Sequence, residues 1–67
     1  MQTEAKTTAV MLVTYPKGGM RQRFFDSQTV LDRWKTTMTV FQKVGVIQTF
    51  MVMPLFTLPK GAVIERR

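Results

Sequence analysis

Two phrases in this chain set cationic side chains beside a Pro-Lys-Gly step: YPKGGMRQRFF at Tyr15–Phe25 and LPKGAVIERR at Leu58–Arg67. Lys17 and Lys60 occupy the same place in each. Arg21 and Arg23 follow the first, and Arg66 and Arg67 close the second. Ammonium and guanidinium groups gathered this way recognise phosphate or carboxylate oxygens. A Walker-type phosphate loop would need a Gly-rich run ending in Lys-Ser/Thr and opening a helix. Neither phrase supplies one, because proline removes a backbone donor and a strand-like run follows. Both read as turns between strands.

The cations can still serve binding from those turns. In Met20–Phe25, strand alternation puts Arg21, Arg23 and Phe25 on one face and Met20, Gln22 and Phe24 on the other. Arginines beside an aromatic ring, with Tyr15 at the neighbouring strand end, are what a sheet needs to hold single strands. Guanidinium meets phosphate, and rings stack on bases. The same alternation also guards an edge strand against stray pairing. The candidate contact residues are Lys17, Arg21, Arg23, Phe25, Lys60 and Arg66.

Covalent and acid–base chemistry has little to draw on. The chain has no cysteine and no histidine, and its four acids are Glu4, Asp26, Asp32 and Glu65. Asp26 reads as a helix cap and Asp32 lies on a polar helix face, so no pair of carboxylates converges across a cleft. The expectation is a non-enzymatic protein with no metal and no cofactor.

Ten Lys+Arg against those four acids give a formal charge of +6. In so small a domain this field fits a polyanionic partner or an acidic protein surface. Sixty-seven residues make one domain at most, and a chain this short buries only about 60% of its unfolded surface. Without disulfide or zinc, its stability must come from packing or self-association.

The elements that would carry these residues follow from pattern. Residues 1–8 are polar and read as a flexible N-terminal arm, leaving 9–67 as a single compact domain. AVMLVTY at Ala9–Tyr15 is β-branched and aromatic and stops at proline, and MRQRFF is its hairpin partner across a type I turn. DSQTVLDRWKTTMTVFQKVG reads as a helix capped by Asp26 or Ser27. Leu31, Trp34, Met38 and Phe41 form its apolar stripe, and Gly45 ends it. Val46–Met53 reads as a further strand, and a last short strand follows the second turn. The expected fold class is α+β: a small antiparallel sheet with one helix across one face, in the order β-β-α-β(-β).

Both faces of the strands are largely apolar, and one helix covers only one of them. Either the last hairpin folds over the second face, or a second copy or partner packs there, face to face or by joining edge strands. Two functions fit. The first is nucleic-acid binding of low specificity, to DNA or RNA, through the cationic hairpin surface of a homodimer. The second is a protein-interaction module, an inhibitor or assembly factor of the small accessory kind that phages and plasmids carry. It would dock on an acidic partner through an apolar sheet face with an arginine rim. No secretory signal is visible, and Val46–Leu58 is too short and too interrupted to span a membrane. A cytoplasmic protein without membrane contact is expected.

Overall fold

The computed structural model describes residues 7–66. Three strands, β1 (Ala9–Thr14), β2 (Met20–Phe25) and β3 (Thr49–Pro54), form an antiparallel sheet in the order β2-β1-β3. The helix α1 (Gln28–Lys43) lies between β2 and β3 in sequence. The fold is α+β, as the sequence pattern implies. Of the expected arm, residues 1–6 lie outside the described residues. Thr8 already accepts a hydrogen bond from Leu55 N–H at 2.9 Å, extending the β1–β3 ladder.

Register fixes the faces. Ala9, Met11 and Val13 stand opposite Phe25, Arg23 and Arg21 on one side, and opposite Pro54, Val52 and Phe50 on the other. These positions face the helix. Ala9, Met11, Val13 and Phe25 form the core with Leu31 and Met38 of α1 and Ile47 beyond it. Tyr15, Val30, Trp34, Phe50 and Val52 pack around it half-buried.

The helix starts and stops for local reasons. Ser27 is extended (φ −140°) and its hydroxyl accepts from Val30 N–H at 3.4 Å, meeting one of the donors a helix start leaves unpaired. At the other end Val46 N–H donates to the Phe41 carbonyl at 2.9 Å, and Gly45 N–H to that of Gln42 at 3.3 Å. This double closure is a Schellman motif with Gly45 at φ +82°. A Cβ at Gly45 would meet nothing within 4 Å, so the whole demand for glycine is backbone conformation. Gly45→Ala is therefore expected to cost about 1–2 kcal/mol by chemical denaturation, from left-handed strain alone.

The stripe is only partly used. Phe41 is exposed, as are Val40 and Val44. Sixteen helical residues span about 24 Å, whereas a six-residue strand spans about 20 Å, so the last turn overhangs the sheet. The expected third strand also starts later than its pattern suggested. Val46 belongs to the helix end, Ile47 turns into the core, and the ladder begins only at Thr49.

The second hairpin does not form. In the first turn Gly18 N–H donates to the Tyr15 carbonyl at 3.0 Å, which puts Pro16 in the second position. Among the described residues none other than glycine has positive φ, so Lys17 completes a type I turn. In the second, Ala62 N–H donates to the Pro59 carbonyl at 3.1 Å and Gly61 has φ +83°. That is a type II turn with its proline one position earlier, and type II geometry splays flanking strands. The chain instead runs to the outside of β2. There Ile64 makes a single parallel bridge to Phe24, and Glu65 N–H donates to the Phe24 carbonyl at 2.9 Å.

This tail settles part of the second-face question. It leaves β3 at Pro54 and reaches β2 at Phe24, crossing the end of the sheet that holds Val10. Val10 is buried, and Leu12, Phe24 and Ile64 are half-buried. Further along the same face Met20 and Met51 stay open, at 59% and 56% exposure. Among the described residues, one end is covered and the other is not.

Candidate functional site

The structure divides the expected cations into three groups. Lys17 lies at the β1–β2 turn and Arg21 one residue into β2, both exposed at the hairpin end of the molecule. Lys60 and Arg66 belong to the tail, which runs at the opposite end, where Phe25 pairs with Ala9. Arg23 lies between them and is taken up by the fold.

Its position explains why. Arg23 faces the helix, and its guanidinium carbon sits 4.4 Å from the centroid of the Trp34 ring. Its Nη1 also lies 3.5 Å from the Glu65 Oε1 of the tail, with both side chains 22% exposed. A half-buried cation over an indole gains from the ring quadrupole, and the nearby carboxylate offsets part of its desolvation. Arg23 Nε is buried with no hydrogen-bond partner among the described residues, a cost these contacts must outweigh. The side chain locks tail, strand and helix together. Arg23→Ala is expected to destabilise the domain by about 1–3 kcal/mol in urea, through the lost stack and a stranded Glu65. The salt dependence of any anion binding should not change.

Phe25 also leaves the candidate surface. It is completely buried, with its ring edge-on to Trp34 at 6.1 Å between centroids. A ring held there cannot stack on a base. Arginine and phenylalanine alternate as expected, but the face they share is the one the helix covers.

The acids decide which cations remain unneutralised. Asp26 lies 3.8 Å from Arg66, Asp32 4.0 Å from Lys35, and Glu65 beside Arg23. Among the described residues Lys17, Arg21, Arg33, Lys43 and Lys60 form no ion pair. Three of these stand at one end. The helix runs back along β2 toward the hairpin, so Lys43 in its last turn returns to the end that carries Lys17 and Arg21. An open hollow of about 350 Å³ lined by Tyr15, Pro16, Lys17, Gly45 and Val46 joins hairpin to helix end. In sequence Lys43 stands out only as a basic residue in the last helical turn, where the dipole favours a cation. Its place beside the hairpin follows from strand and helix lengths together, which no local pattern displays.

This end therefore presents three exposed cations from three segments, the turn, β2 and α1. Among the described residues no acid lies at this end. No protein-family model, curated protein or solved structure matches this chain. Among the described residues no helix is long and apolar enough to cross a membrane.

Proposed function

We propose that this chain is a small, non-enzymatic, cytoplasmic nucleic-acid-binding protein that works as a homodimer. It contacts phosphates through Lys17, Arg21 and Lys43 at its hairpin end. One observation carries the reading: each described acid is engaged by a cation elsewhere, and three of the five unengaged described cations, Lys17, Arg21 and Lys43, share one end. Unneutralised cations on separate elements suit a phosphate backbone, which presents regularly spaced charges and asks for no base-specific geometry. With Phe25 buried and Arg23 stacked on Trp34, the reading rests on phosphate contact and not on base stacking. Lys60 and Arg66, at the other end, add only long-range attraction.

A second reading has its own support. Met20, Met51 and Met53 leave an apolar, adaptable stretch of sheet open, which suits docking on a protein. Salt separates the two. Fluorescence anisotropy with short single- and double-stranded oligonucleotides, at low and moderate salt, tests the first directly. Binding that weakens steeply with salt supports nucleic acid; absence of binding at low salt rejects it in favour of a protein partner.

A further inference from the structure

Among the described residues, the strand β3 is a bare edge with little defence. No charged residue occurs between Lys43 and Lys60, in a chain whose formal charge is +6. Exposed edges are ordinarily blunted by charge, bulges or a covering segment. The other edge, β2, has two arginines and the tail across its outer side. β3 has only Pro54, at its very end.

Its outward backbone groups can be identified. Leu55 N–H bonds to Thr8, so the alternation of an antiparallel ladder directs Thr49, Met51 and Met53 toward β1. Phe50 and Val52 therefore aim their N–H and C=O groups away from the sheet, and Pro54 aims outward the nitrogen that has no proton. We propose that a second copy of this chain fills that edge, β3 against β3 in antiparallel sense about a two-fold axis at Met51. This rests only on the two-copy part of the function proposed above. In that register Phe50 of one copy faces Val52 of the other, and every outward N–H and C=O of both residues is paired. Moving the axis to Val52 would set the Phe50 carbonyl against the proline nitrogen, which has nothing to donate. The Met51 side chains meet across the axis and lose their exposure.

Side-chain shape supports the same antiparallel sense. Phe56 is fully exposed, two residues beyond β3, an unusual place for a large aromatic. An antiparallel seam carries the C-terminal end of β3, with Phe56 beyond it, toward the hairpin end of the second copy, where Val46 lies. Val46 lines the hollow that Tyr15, Pro16, Lys17 and Gly45 complete. The knob on one copy meets the hollow on the other, twice by symmetry, adding apolar burial that a bare strand seam lacks. Lys17 lines the hollow with its stem and keeps its ammonium in water, free for phosphate.

Sedimentation equilibrium without nucleic acid, from micromolar to near-millimolar protein, tests this. The wild type is expected to be a dimer whose affinity changes little with salt. Val52→Pro removes an outward N–H and no β1–β3 hydrogen bond, also trims the Val52 side chain that packs on the core, and should give a less stable, folded monomer. Phe56→Ala touches nothing buried and should weaken the dimer tenfold or more, by analogy with aromatic anchors at interfaces. It decides the matter even where Val52→Pro fails to fold. Because the chain has no cysteine, Met51→Cys should oxidise to a single symmetric disulfide dimer. A wild type that stays monomeric at the highest concentration overturns the proposal. So does a dimer of unchanged affinity in Phe56→Ala. Neither result bears on oligonucleotide binding, which is measured separately.

Discussion

Replacing Lys17, Arg21 and Lys43 together with glutamine should lower oligonucleotide affinity by roughly two orders of magnitude near 0.1 M salt, while the domain stays folded. Each phosphate neutralised on duplex DNA contributes about 0.9 to the log–log salt slope, so losing three contacts should flatten it by about 2.7. The side chains are exposed and form no described ion pair, so their removal strands no partner and costs little stability. The matched control is Arg23→Ala, which should shift the unfolding midpoint and leave the slope where it was. Two arginines only two residues apart on one strand thus answer to opposite measurements. If Arg23 flattened the slope and the triple variant did not, the site would be misplaced.

Phe25→Ala should leave little folded protein at room temperature. The ring is completely buried against Trp34 within a core built from few residues. Phe→Ala in a core costs about 3–5 kcal/mol, counting lost transfer energy and the cavity left behind. A single core in a chain this short supplies only about 3–5 kcal/mol in all. Far-ultraviolet circular dichroism with a urea titration reads the result, expected as a midpoint near zero urea. The exposed Phe56→Ala, by contrast, should keep a wild-type midpoint when measured at concentrations where the protein is monomeric. A Phe25 variant as stable as the wild type would contradict the placement of the core.

The elements were legible in the sequence because their signals are local. Ser27, the Leu31–Trp34–Met38 spacing and Gly45 mark the helix by caps and period, and the Tyr15–Gly18 turn announces its hairpin through one proline and one glycine. The candidate site was legible only in its ingredients. Alternation separates Arg23 and Phe25 from Gln22 and Phe24, but it cannot tell which face the helix will take. The helix took the arginine face, burying Phe25 and stacking Arg23 on Trp34. The two Pro-Lys-Gly phrases look alike in sequence, yet hydrogen bonding sets proline second in one turn and first in the other. That one-residue shift decides between a hairpin and a tail. Lys43 joins the hairpin end only because helix and strands have comparable lengths, a property of the assembled domain.

The most direct test of the central claim is a two-dimensional amide NMR titration of the labelled protein with a short oligonucleotide at low salt. Shifts are expected to concentrate at Lys17–Arg21 and around Lys43, with little change at Leu12, Phe24, Met51 and Met53. Shifts centred on those sheet residues, with the hairpin end silent, would contradict it.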